Sequence, residues 1–338
     1  MLRLPSFRLI EPTTWTEAAT LLREHGAAES DAARGTPNVP VMLVAGGTDL
    51  FPNMKRRQFT PQVLVSLGRV TGAREISNGA GLRIAAGATL TEVATHPTVR
   101  AKYTALAQAA GAVSTPQLRN MGTIGGNLCL DTRCNWYDQS LFWRTAEGFC
   151  MKTNPDVVCR VATSSPRCLA VASADTVPAL LVLGATVHFE DAEGGRDVPL
   201  SELYREDGIR PMAMREDEVL PDITLPEADG WRSTYLKLRD RNSFDFPIAA
   251  VAAAVRWDGA KVSEARVAIT ALGSRPQLIE DAARPLVGTN LDDVTIALAA
   301  EAVHKAARPM DNTSGTISQR KRAALVFTER ALRSLRPS

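Results

Sequence analysis

The sequence predicts an α+β fold in more than one domain, and three observations lead there. The chain has 338 residues, and at about 100–200 residues per domain that length suits two or three domains with cores able to fold unaided. Short apolar runs alternate with capped, helix-patterned stretches through the first two thirds of the chain. Three strand-like segments and then two helix-patterned ones follow.

Composition narrows the function classes. Apolar residues are 45% and charged residues 22%, the proportions of an ordinary globular protein. Lys and Arg (39) nearly balance Asp and Glu (37), so nothing in the net charge of +2 draws the chain to nucleic acid or an anionic membrane. The longest apolar runs, 177–187 and 246–255, are broken by Pro or Gly and fall short of the roughly 20 residues of a spanning helix. The first residues, Met1-Leu2-Arg3-Leu4-Pro5, lack the apolar stretch of a signal peptide, so a cytoplasmic location is expected.

Taken in order, Thr14 to Glu17 reads as a capping box opening a helix that ends near residue 25. A surface loop is expected over 27–38, then a buried strand over 41–45 that runs into Gly46-Gly47. Further strands are expected at 63–67 and 82–86, a second capping box at Thr89 to Glu92 and a helix over 102–112. Strands resume around Val171 and 185–189. The acidic, proline-containing stretch 216–229 reads as a domain boundary, with the second domain beginning near 228. Strands at 233–238, 249–257 and 262–271 and helices at 293–307 and 318–335 complete the chain. The last 36 residues hold eight Lys/Arg against two acids, which reads as a solvated helix face.

Two glycine loops stand out. Val44-Ala45-Gly46-Gly47-Thr48-Asp49-Leu50 follows a strand, and Gly122-Thr123-Ile124-Gly125-Gly126-Asn127 lies about 75 residues on. Paired glycines permit a sharp turn and close approach to a ligand, and exposed amides suit phosphate oxygens; a plain tight turn is the alternative. The dinucleotide fingerprint G-x-G-x-x-G is absent, and no helix start with its spacing follows.

"VAGGTDLFPNMK" (44–55) together with "RNMGTIGGNLC" (119–129) resembles the flavin-binding subunit of the molybdenum hydroxylases, the xanthine and carbon monoxide dehydrogenase relatives. "ADTVPALLVLGATV" (174–187) and "YLKLRDRNSFDFPIAAVAAAV" (235–255) extend the resemblance over nearly the whole chain. It implies a two-subdomain FAD-binding domain over 1–227, with subdomains of about 1–70 and 71–227, and an α+β C-terminal domain over 228–338. It also implies FAD with both glycine loops on its diphosphate, Ser114 nearby, and Asp175 and Lys237 at flavin-contacting positions. Read as residues alone, Asp175 could instead cap a helix beginning near Val177, and Lys237 could be an exposed strand lysine.

The five cysteines fall within 40 residues, an odd number in a chain expected to be in a reducing compartment, which disfavours a disulfide framework. Relative to the usual family pattern about 40 residues are inserted, over about 131–170, and they hold Cys134, Cys150, Cys159 and Cys168. Four thiolates at spacings of 16, 9 and 9 could ligate zinc or a [4Fe–4S] cluster, and spacing alone does not choose. A redox centre serves a flavin subunit where zinc would only staple a loop, so the cluster is the expectation. Cys129, inside "GGNLC", reads as a small buried residue. Trp136, Tyr137, Phe142, Trp143 and Phe149 place five of the chain's 18 aromatics in the insertion, where they could shield a metal centre.

Within the family, the combination resembles the flavin subunits of the 4-hydroxybenzoyl-CoA reductases. That resemblance implies a molybdenum-cofactor large subunit, a small subunit with two [2Fe–2S] clusters and a dimer of heterotrimers. It implies reduced ferredoxin as donor, with electrons passing through the [4Fe–4S] cluster and FAD toward molybdenum for reductive dehydroxylation in aromatic degradation. Two alternatives stay open, the flavin subunit of an oxidative molybdenum hydroxylase and a zinc-stapled subunit without redox function. No catalytic constellation stands out, and His25, His96, His188 and His304 are scattered.

Overall fold

The computed structural model describes residues 3–26, 39–154 and 156–337, so the loop expected over 27–38 lies outside the described residues. Three parallel strands, β1 (Arg8–Ile10), β2 (Val41–Val44) and β3 (Val63–Ser66), form the first sheet in the order β1-β3-β2. The helix Trp15–Gly26 covers it, burying Ala18, Ala19 and Leu22 against Val41 and Val65. Thr14 Oγ1 accepts from the Glu17 amide at 3.1 Å, but Glu17 reaches back to the amide of Thr13 at 2.7 Å, one residue earlier than the expected box. The six-residue helix Leu50–Lys55 follows the first glycine loop directly, although the sequence showed no helix start there. Its N-cap residue, Asp49, makes no side-chain cap bond.

The second sheet is antiparallel: β4 (Ile76–Gly79), β5 (Gly81–Ala85), β6 (Thr186–Glu190), β7 (Gly195–Pro199) and β8 (Val219–Leu225), ordered β4-β5-β8-β6-β7. Here the reading of 216–229 as boundary sequence is corrected, because β8 is the central strand of this sheet. Val219, Leu220, Ile223 and Leu225 are buried in it. The acids in it and just before it are paired, Asp222 with Arg83 at 2.8 Å, and Glu218 with Arg196 at 2.6 Å and Arg215 at 2.9 Å. The helices Leu90–Thr95, Thr104–Ala112, Ile124–Leu128 and Thr176–Val182 share its core. The Thr89/Glu92 capping box forms with both of its bonds, and the helix expected over 102–112 is present as Thr104–Ala112, preceded by a separate short helix, Pro97–Lys102.

The C-terminal sheet runs β12-β11-β10-β9, with β9 (Trp231–Leu238), β10 (Ala249–Asp258), β11 (Lys261–Thr270) and β12 (Gln277–Leu278). Strand period explains the uninterrupted apolar run of β10. Ala250, Ala252 and Ala254 face the core of the second sheet, while Val251, Ala253 and Val255 face the helices Asp293–Ala306 and Ile317–Ser334. The basic terminal helix departs from a purely solvated face at one residue. Arg320 is buried and donates to the carbonyls of Ile248 (3.1 Å), Met310 (2.7 Å) and Ala271 (2.5 Å).

Candidate functional site

The two glycine loops lie against each other. A Cβ at Gly46 would meet the Met121 carbonyl oxygen at 1.8 Å, so that glycine is required by the second loop itself. Gly47 has φ +67°, and a Cβ there would strike the Phe51 ring at 2.4 Å. Gly125 packs on Ala86, whose Cβ would lie 2.6 Å from an added one. The amides of the second loop are committed within the protein: Gly122 to Leu118 O, Ile124 to Ala88 O, Gly125 to Ala86 O, Gly126 to Thr123 Oγ1 and Asn127 to Thr123 O. Asn127 Oδ1 accepts from the Thr176 amide (3.0 Å) and hydroxyl (2.6 Å), which ties two helices together. Residues 45–50 are less buried than the second loop, and Ala45, Met121 and Gly126 are exposed along the shared edge. The shared edge is thus lined more by the less buried first loop than by the second, whose amides are bonded internally.

Asp175 and Lys237 meet each other. Lys237 Nζ lies 2.9 Å from Asp175 Oδ2, and Tyr235 Oη donates to Asp175 Oδ1 at 2.5 Å. Lys237 also donates to Ala112 O at 3.1 Å, and its side chain is buried rather than exposed. Asp175 precedes the helix Thr176–Val182 without capping it through its side chain. Burial pushes the Lys237 ammonium down and the Asp175 carboxyl up, and their mutual attraction opposes both shifts. Ser114, at φ +44°, accepts at its carbonyl from the Phe244 amide at 3.1 Å, so the loop after β9 lies on it.

The insertion brings Cys134, Cys150, Cys159 and Cys168 to the wall of one small cavity of about 10 Å³, with Trp136, Tyr137, Met151, Lys152, Arg160, Val161 and Ala170 completing it. All four cysteines are buried and none is in a disulfide. Among the described residues no three His, Cys, Asp or Glu side chains are grouped closely enough to hold a metal ion as they stand. Four sulfur donors on one wall are a donor set that zinc or an iron–sulfur cluster could use. Burial pushes the Cys134 thiol up to about 12 and the Cys168 thiol to about 11, so free thiolates are disfavoured and metal binding would release protons. Cys129 lies outside the cavity wall, and burial pushes its thiol to about 11.

Local structure holds this lobe on the first glycine loop. Ser140 caps the helix Leu141–Glu147, Gly148 ends it at φ +84°, and Leu141 N donates to Arg56 O at 2.9 Å, just beyond the helix that follows that loop. Arg133, beside Cys134, joins the parts: its guanidinium pairs with Asp49 and, at 3.5 Å, with Asp138, and lies 4.7 Å from the Phe246 ring. Asp138 accepts from the Cys134 amide at 3.2 Å and from Gln58 Nε2 at 3.1 Å. Arg133 and Val171 exchange backbone hydrogen bonds at 2.8 and 2.7 Å, pinning together the two ends of the insertion. Asn53 Oδ1, Gln58 Oε1, Arg133 Nε and Tyr137 Oη are buried along this seam with no partner among the described residues, leaving polar capacity for water or a bound group. Sequence reading missed Arg133, Lys152 and Gly208. A Cβ on Gly208 would meet Cys168 Sγ at 2.7 Å, and no local signal links that glycine, 40 residues downstream, to the cysteine.

This two-part architecture with abutting glycine loops is that of a flavoprotein subunit. Residues 5–228 match the family model described as the FAD binding domain in molybdopterin dehydrogenase, and residues 233–335 match the CO dehydrogenase flavoprotein C-terminal domain. The chain belongs to the FAD-binding subunits of the molybdenum hydroxylase family. It is 33% identical over 269 residues to the aldehyde oxidoreductase FAD-binding subunit PaoB of Escherichia coli K12, covering 75% of this chain and 81% of that one. It is 28% identical over 334 residues to the carbon monoxide dehydrogenase medium chain of Hydrogenophaga pseudoflava (97% and 96% covered). The nicotinate dehydrogenase FAD-subunit of Eubacterium barkeri is 26% identical over 322 residues (94% and 92%). In fold, the chain superposes on carbon monoxide dehydrogenase from Hydrogenophaga pseudoflava with a TM-score of 0.79 at 24% identity, covering 98% of both chains. These descriptions name no [4Fe–4S] cluster.

Proposed function

We propose that this chain is the flavin and [4Fe–4S] electron-transfer subunit of a molybdenum enzyme complex. Its partners are a molybdenum-cofactor large subunit and a small subunit with two [2Fe–2S] clusters, in a dimer of heterotrimers located in the cytoplasm. The observation that carries the cluster is the convergence of Cys134, Cys150, Cys159 and Cys168 on one cavity. Bound FAD would exchange electrons singly or in pairs and the cluster singly, which is the chemistry such a subunit needs. The 44–50 and 122–127 loops would hold the diphosphate, with Ser114 at its margin, and Asp175 and Lys237, paired at 2.9 Å, would contact the flavin. Arg133 keeps the cysteine lobe against the first of these loops.

The substrate reading carried by the insertion is reductive dehydroxylation of 4-hydroxybenzoyl-CoA, with reduced ferredoxin as donor. The similarity to the aldehyde oxidoreductase FAD-binding subunit favours a second reading, oxidation of a substrate such as an aldehyde with electrons leaving through this chain. Rapid mixing of the purified complex separates them. A ferredoxin-like donor together with turnover of 4-hydroxybenzoyl-CoA supports the first reading, whereas flavin reduction by an aldehyde without that donor supports the second and overturns the first.

A further inference from the structure

Lys152 follows Cys150 by two residues and lines the cysteine cavity, with its side chain 6% exposed. Its Nζ donates to Asp131 Oδ1 (2.8 Å), Thr132 Oγ1 (2.7 Å) and Gly208 O (2.5 Å), which uses all three donors of an ammonium group. The same Nζ lies 4.8 Å from the Tyr137 ring, another part of the cavity wall. Gly208 fixes this cation to the cluster site, because its amide donates to Cys168 O at 3.0 Å and its Cα packs on Cys168 Sγ. Asp131 is more exposed, at 24%, and is not on the cavity wall, so the cation is the nearer member of the pair. The second cation on the wall, Arg160, lies 5.2 Å from the Trp136 ring and donates to Phe149 O at 2.6 Å.

We propose that Lys152 and Asp131 form a pair of opposite charges that sets the reduction potential of the cluster held by the four cysteines. This rests on the reading of those cysteines as ligands. Reduction brings in one electron from a low-potential one-electron donor and adds one negative charge, with no bond made or broken. A buried ammonium at the wall favours that added charge and a carboxylate beyond it opposes it, each strengthened by burial. The two residues therefore pull the potential in opposite directions, and Lys152, being nearer, pulls harder.

The test is a dithionite titration of the whole complex, followed by electron paramagnetic resonance after iron and sulfide have been counted in each preparation. Lys152→Gln should leave the cluster about tenfold less reduced at a fixed potential, about 59 mV lower for one electron. Lys152→Arg, which keeps the charge, should stay within a few-fold of wild type. Asp131→Asn should shift the potential upward. Unchanged potentials in both neutralising variants, or shifts in the same direction, overturn the proposal, since a purely structural role gives no opposed pair. If Lys152→Gln cannot hold the cluster, Asp131→Asn decides: a higher potential supports the proposal, and an unchanged or lower one overturns it. Wild type free of iron at this site overturns the cluster reading itself, and the iron count tells that failure apart.

Discussion

Cys129 and Cys134 are five residues apart in the sequence and meet different surroundings. Cys134 faces the shared cavity, and Cys129 stays with the packing of the FAD-binding core. Serine at Cys134, Cys150, Cys159 or Cys168 should abolish the cluster's broad visible absorbance, because a hydroxyl is a harder and far less acidic ligand, whereas Cys129→Ser should keep it. Retained absorbance in all four variants would contradict the assignment. The glycines make a sharper test than their motif suggested. Gly125→Val would drive into Ala86 at the edge of the core, but Gly47→Val meets the movable Phe51 ring and a φ that β-branched residues avoid. Gly47→Val should therefore lower FAD content, read by released flavin absorbance, while a wild-type thermal transition of the C-terminal domain shows that the rest is folded. Full FAD occupancy would remove the first loop from the site. The cysteines and glycines were legible because their chemistry is rare and clustered. Arg133, Lys152 and Gly208 were not, since their roles come from neighbours brought near by folding.

Among the elements, those with a strong local period were readable. The strands β9, β10 and β11, the two terminal helices and the Thr89/Glu92 box lie within a few residues of their expected positions. β8 was hidden by its own charges. Glu218 is buried, and although burial pushes its carboxyl up, hydrogen bonds from Arg196 and the Arg215 amide and the charges of both arginines outweigh this and hold it below the usual range. A carboxyl lowered on folding contributes stability above its unfolded value of roughly 4.5, and that contribution fades as pH falls through the lower folded value. Glu218→Gln should thus cost about 1–3 kcal/mol in urea unfolding at pH 7, and the gap from wild type should close below about pH 4. A gap that is constant with pH would contradict the ionised pair. The terminal helix hides a second such residue. Arg320 serves three carbonyls from separate segments, and burial pushes its guanidinium down to about 10. Arg320→Met should destabilise the C-terminal domain by about 2–5 kcal/mol, seen as a lower thermal midpoint, because those carbonyls lose their donors. An unchanged midpoint would show that water replaces the side chain.

Across the whole molecule, the insertion is tied down at both ends. Arg133 and Val171 pair through their backbones, Ala172 N donates to Gly273 O at 3.0 Å, and Ala271 N donates to Ala172 O at 2.9 Å, so the lobe is anchored to the C-terminal domain as well as to the first glycine loop. That arrangement could not be read along the chain, because it depends on contacts between segments about 100 residues apart. It gives the cysteine lobe a fixed place beside the first glycine loop, and its use to the complex turns on what the four thiols hold. The most direct measurement compares iron, acid-labile sulfide and zinc in the anaerobically purified wild-type complex with the same complex carrying Cys159→Ser. A [4Fe–4S] cluster predicts a loss of about four iron and four sulfide per chain with zinc unchanged, and equal iron in both preparations, or one zinc lost in place of iron, would contradict it.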